Sequence, residues 1–185
     1  SLTMFCKQIN VPFEVYSFKD PTFGRGNGGY DVGPIQGSSF QPRDVKDPTT
    51  GIVSFRPFVL RNLLSSRMNT ADYQQAMINL WGLAFSQANA PTDGLTGTPL
   101  NEAIYVADRI VNDFKKRTNV QVVNTIFLTD GGADGTNVAF ADSYASWSRR
   151  FINVMADKDT KKTYQFRTGP SLTKTLLERL KDRTG

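Results

Sequence analysis

Two residues in this sequence stand where a loop side chain could do chemistry. Thr98 lies in "GLTGTPLNEAI" (residues 94–104) and Asp130 in "NTIFLTDGGADG" (residues 124–135). A hydroxyl and a carboxylate are hard oxygen donors, and with waters they suit octahedral Mg²⁺, with Mn²⁺ or Ca²⁺ as substitutes. Each residue also has a plainer job. Threonine is a good N-cap where a loop enters a helix, and Asp-Gly-Gly tolerates the dihedrals of a turn. Asp134 and Asn137 follow closely, but the D-x-D-x-D-G spacing and distal Glu of a calcium loop are absent, so they read as surface loop residues.

The missing residue types narrow the chemistry. The 185 residues include no histidine and one cysteine, Cys6. No Ser-His-Asp or Cys-His arrangement can be built from them, and no Cys/His zinc site. No G-x-x-x-x-G-K-[ST] is present. Gly24-Arg25-Gly26-Asn27-Gly28-Gly29 matches G-x-G-x-x-G, but Gly33-Pro34 breaks the chain where a dinucleotide site needs a helix. The net charge is +5, with basic residues gathered late, from Arg149 to Arg183, and acidic ones interspersed. That pattern reads first as a solvated face, and nucleic acid as an unlikely partner. No apolar run nears the ~20 residues that span a bilayer, and one unpaired cysteine suits a reducing, cytoplasmic compartment.

The elements that must position Thr98 and Asp130 follow from periodicity. Ser1 to Ile9 has helical spacing at Leu2, Phe5, Cys6 and Ile9, and "PFEVYSF" reads as a strand. Residues 19–51 are dense in Gly, Pro, Ser and Asp, a long irregular insertion. Helices are expected over 58–68 and from an Asn69 or Thr70 cap, the second with Ala76, Met77, Leu80, Leu83 and Ala84 on one side. The clearest helix spans 99–117. Thr98 is its expected N-cap, Leu100, Ala103, Ile104, Ala107, Ile110, Val111 and Phe114 its apolar stripe, and Lys115, Lys116 and Arg117 its basic end. The run "VQVVNTIFL" (120–128) is too continuously apolar to be half exposed, which predicts a central parallel strand covered on both faces. A helix around 144–155, with Tyr144, Trp147 and Phe151 in the core, a short strand at 163–166 and a helix over 171–182 complete the chain. The fold class expected is α/β, with helices around a parallel sheet. Ligands in such sheets bind beyond the strands' carboxyl ends, where Asp130 would stand.

"TGTPLNEAI" leading into a long helix, then an apolar strand ending in "TDG", resembles the von Willebrand factor A (VWA) domain. The resemblance implies a Rossmann-like parallel sheet and a metal-ion-dependent adhesion site in which Thr98 and Asp130 are the matching ligands. The family's Asp-x-Ser-x-Ser motif is not found here. Ser1 to Ile9 resembles the tail of the helix that follows it, so the chain reads as an internal piece, a single partial domain over 1–185. Residues 19–56, 57–88 and 138–170 would be its insertions. Within the family it looks most like bacterial and phage proteins of the cobaltochelatase-subunit kind.

That resemblance implies a Mg²⁺-dependent protein-interaction module, cytoplasmic and possessing no catalytic residues of its own. It would dock a partner's carboxylate beside an AAA+ ATPase in a chelatase-like or remodelling complex. Two other functions stay open: a structural or assembly component of a phage with a degenerate metal site, and a Mg²⁺-dependent phosphate hydrolase. The hydrolase would need a further carboxylate near Asp130, with Asp134 and Asp93 as candidates.

Overall fold

The structure, a computed structural model, describes residues 2–19, 52–54, 58–85, 98–129, 131–133, 137–139, 153–166 and 170–185. The chain divides into two compact units, one of residues 1–33 and 58–97, the other of residues 34–57 and 98–185.

The first unit contains helix α1 (Leu2–Gln8), strands β1 (Glu14–Lys19) and β3 (Val59–Ser65), and helix α2 (Thr70–Phe85). β1 and β3 pair antiparallel, with an irregularity between Val15 and Tyr16. Leu64 is fully buried, and the Tyr73 ring meets Phe13 edge-on with centroids 6.3 Å apart. Lys7 ties α1 to the turn after β3: its Nζ donates to the carbonyls of Ser66 (3.1 Å) and Met68 (2.8 Å) and lies 4.9 Å from the Tyr73 ring centre. α2 starts where the sequence places it. Asn69 Oδ1 accepts from the Asp72 N–H at 2.8 Å, the bond an N-cap makes to the third helical residue.

The second unit contains strands β2 (Ile52–Ser54), β4 (Asn137–Ala139), β5 (Asn153–Ala156) and β6 (Thr163–Phe166), with helices α3 (Leu100–Thr118) and α4 (Pro170–Thr184). Its core is an apolar seam between α3, α4 and β6. Leu100, Ala103, Ile104, Ala107, Val111 and Phe114 come from α3, and Leu172, Leu176 and Leu180, at helical i, i+4, i+8 spacing, from α4; Tyr164 and Phe166 come from β6. Each of the larger side chains among them contributes about 1.5–3 kcal/mol by leaving water. α3 ends at Asn119, whose φ of 54° is left-handed, a conformation asparagine accepts more readily than most residues.

The expected parallel, Rossmann-like α/β sheet is not the architecture found. All three strand pairs among the described residues, β1–β3, β2–β4 and β5–β6, are antiparallel. The run 120–128 pairs with nothing described as a strand, and Val122, Ile126 and Leu128 are 77%, 67% and 84% exposed. A buried parallel strand needs neighbours on both edges and helices on both faces; this segment has the composition of one without that surrounding. Two helices were also expected where strands form. Residues 59–65 pair with β1, and residues 153–156 with β6, so cross-strand partners override the helical spacing. The rest of the aromatic stretch, including Tyr144, Trp147 and Phe151, lies outside the described residues, as do most of the 19–51 insertion and the Gly24–Gly29 motif.

Candidate functional site

α3 begins one residue later than its sequence suggests. Pro99, not Thr98, occupies the N-cap position, and its own side chain makes no capping bond. Thr98 is half-buried just outside it, its carbonyl accepting from the Leu100 N–H at 2.7 Å. Asp130 lies outside the described residues, as does Asp134; Asn137 stands in β4.

The residues flanking Asp130 are described. Thr129 Oγ1 accepts from the Gly131 N–H at 3.2 Å and donates to the Gly131 carbonyl at 3.0 Å, a local side-chain turn. Neither Gly131 nor Gly132 has the left-handed backbone that favours glycine, and a Cβ on either would meet nothing within 4 Å among the described residues. Backbone conformation does not require glycine at either position, which leaves room there for the close approach of a ligand or partner.

A second polar constellation went unnoticed in the sequence: the ion network of Asp108 on α3, Asp157 and Asp159 after β5, and Arg179 and Arg183 on α4. Arg179 Nε donates to Asp157 Oδ2 at 2.7 Å, and its other end lies 3.4 Å from Asp108 Oδ2. Arg183 donates to both Asp157 oxygens at 2.9 and 3.0 Å and lies 2.7 Å from Asp159 Oδ2. Its Nε rests against Asp108 Oδ2 as an ion-pair contact. The Arg179 guanidinium also stacks on Tyr105, 4.8 Å from the ring centre. Asp157 and Asp108 side chains are only 2% and 5% exposed, so this is a buried network.

Its electrostatics follow from the contacts. Burial alone would push the Asp157 carboxyl up. The N–H groups of Thr160 and Asp159, together with Arg183 and Arg179, outweigh burial and hold it well below the usual carboxylate range. Arg183 is pushed above its ordinary value, first by its bond to Asp159 and then, against burial, by Asp157 and Asp108. Beside them Asp182 accepts from Lys162 (2.6 Å) and Tyr164 (2.8 Å), which lowers the carboxyl. Spacing shows this much in the sequence: Arg179 and Arg183 are i, i+4 on one helical face. Their acidic partners lie 71 and 22 residues from Arg179, beyond the reach of local patterns.

The network's arginines already occupy its carboxylates, so it offers stability more readily than a ligand site. Among the described residues no three His, Cys, Asp or Glu side chains are grouped to hold a metal. Thr98 and Asp130 fit Mg²⁺ by donor type, as a hydroxyl and a carboxylate. No protein-family model, curated protein or solved structure matches the chain. No helix among the described residues is long and apolar enough to cross a membrane.

Proposed function

We propose that this chain is a divalent-cation-dependent protein-interaction module whose metal ligands are Thr98 and Asp130. The observation that carries the reading is at the start of α3. Thr98 stands half-buried just ahead of the Pro99 N-cap, and among the described residues a Cβ on either glycine after Asp130 would meet nothing within 4 Å. The VWA resemblance rests on those motif residues alone and not on a parallel sheet. Bound there, Mg²⁺ would supply a Lewis-acidic position for a partner's carboxylate. Thr98 and Asp130 would fix where that position lies, and waters would fill the remainder of the shell. An AAA+ ATPase of a chelatase-like or remodelling complex, in the cytoplasm of a bacterial or phage-infected cell, is the partner this reading favours.

Calorimetric titration with Mg²⁺ and Mn²⁺ tests it on wild type, Asp130→Ala and the near-isosteric Thr98→Val. The expected result is saturable binding that Asp130→Ala abolishes and Thr98→Val weakens, with unchanged circular dichroism. Wild-type protein that binds neither ion, or variants that bind as wild type does, would make Thr98 and Asp130 ordinary loop residues.

A further inference from the structure

α3 and α4 pack as a parallel pair. Thr173 Oγ1 donates to Asn101 Oδ1 at 2.7 Å, Arg179 Nη2 meets Asp108 Oδ2 at 3.4 Å, and Asn112 Nδ2 donates to the Arg183 carbonyl at 3.5 Å. These contacts ascend both helices in the same order, so the two N-termini lie side by side. The buried ion network holds the pair from Asp108 onward, and the bond between Asn101 and Thr173 ties the first turns. Asn101 is 3% exposed and follows the buried Leu100, while Thr173 follows the buried Leu172. An amide that deep is held to its partner by the cost of leaving it unpaired.

Thr98 is joined to that first turn by a stiff link. Pro99 has φ −74° and ψ 54°, and the Leu100 N–H donates to the Thr98 carbonyl at 2.7 Å, the geometry of an inverse γ-turn. The proline ring fixes φ at the centre of that turn. The Pro99 carbonyl in turn accepts from the Ala103 N–H at 3.0 Å, which anchors the link in the helix. Two backbone bonds therefore carry the place of the first helical turn to Thr98. Where Leu100 and Asn101 are set, Thr98 follows.

We infer that Thr173 is a positioning residue for Thr98, acting through Asn101 and the Pro99 turn. The inference rests on the reading of Thr98 as a cation ligand and adds that α4 sets where that ligand stands. The Thr173 hydroxyl fixes the Asn101 amide, the amide fixes the first turn of α3, and the turn fixes Thr98. A ligand has to be held within about 0.5 Å of its working position by neighbours that are themselves fixed. Mg²⁺ is the stricter judge of such placement, because it demands near-ideal octahedral geometry where Ca²⁺ accepts a flexible shell.

Thr173→Val keeps the side chain's shape and removes the donor, whereas Thr173→Ser keeps the donor. In the metal-free 185-residue chain, hydrogen exchange of the Leu100 and Ala103 amides should be about fivefold faster in Thr173→Val than in wild type. The Leu176 and Leu180 amides of α4 should exchange as before. In calorimetric titration Thr173→Val should bind Mg²⁺ about tenfold more weakly, the low end of what an outer partner of a ligand is worth. The loss for Ca²⁺ should be smaller, and Thr173→Ser should restore both exchange and affinity. Thr173→Ala, smaller and equally without a donor, takes the place of the valine variant if that chain unfolds. A Thr173→Val chain whose Leu100 amide and Mg²⁺ affinity match wild type overturns the inference and leaves Thr98 a ligand. A serine variant that behaves like the valine one overturns it too, since the hydroxyl is then not the cause. Wild type that binds neither ion removes the ligand reading itself, and the inference with it.

Discussion

Asp157→Asn is the substitution whose consequence the structure determines most closely. It leaves an oxygen to accept from the Asp159 and Thr160 N–H groups, so the β5–β6 turn keeps its local bonds. What disappears is the charge between Arg179 and Arg183, whose side chains are 9% and 19% exposed. Removing one partner of a buried ion pair costs about 3–5 kcal/mol, because the other charge is left without compensation. Arg179 retains Asp108 and the Tyr105 ring, and Arg183 retains Asp108 and Asp159. These contacts put the expected loss at the lower end, about 3 kcal/mol. Urea unfolding followed by circular dichroism measures it, with hydrogen exchange of α4 amides assigning the loss to this unit. Acid supplies a second readout. The folded Asp157 carboxyl lies below its unfolded value, so its contribution is complete above about pH 4 and fades as pH falls further, when the unfolded chain takes up the proton first. Asp157→Asn lacks that group, and its stability should fall less steeply than wild type below about pH 4. Asp159→Asn, at a carboxylate 74% exposed, should cost under about 1 kcal/mol. A loss below about 1 kcal/mol for Asp157→Asn, with acid profiles parallel to wild type, would refute the reasoning.

Leu176→Ala, at a residue of α4 only 1% exposed, should cost about 2–5 kcal/mol in the same urea experiment, through lost burial and the cavity left behind. Asn69→Ala removes the side-chain acceptor at the start of α2 and should cost about 1 kcal/mol, visible as earlier hydrogen exchange in the first turn of that helix.

The helices were legible where their signals were local. The stripe from Leu100 to Phe114 and the basic close of α3 describe a surface helix completely, and the Asn69 cap and the 163–166 strand are where the sequence puts them. The errors share one cause. A β-branched apolar run such as 120–128 records a preference for extended backbone and burial, but the pairing that would satisfy it belongs to other segments. Residues 59–65 show the converse: Leu60, Leu63 and Leu64 fit a helix as well as a strand, and β1 decides. At the candidate site, the resemblance of the Thr98 and Asp130 motifs to those of VWA domains carried the choice of both residues. The one-residue shift of the N-cap to Pro99 depends on backbone dihedrals that no motif records. The ion network is the clearest case, because Asp108 and Asp157 meet Arg179 only after α3, α4 and the β5–β6 hairpin have packed.

Asp157 has two bonding roles, and two variants separate them. Its carboxylate accepts from Arg179 and Arg183, and its Oδ1 also pins the β5–β6 turn by accepting from the Asp159 and Thr160 N–H groups. Asp157→Asn keeps the turn acceptor and loses the charge, whereas Asp157→Ala loses both. Asp157→Ala should therefore cost about 1–3 kcal/mol more than Asp157→Asn in urea unfolding, the penalty of polar groups left without their acceptor. Equal losses in the two variants would mean that the charge alone carries the effect and that the turn does not depend on Asp157 for its closure.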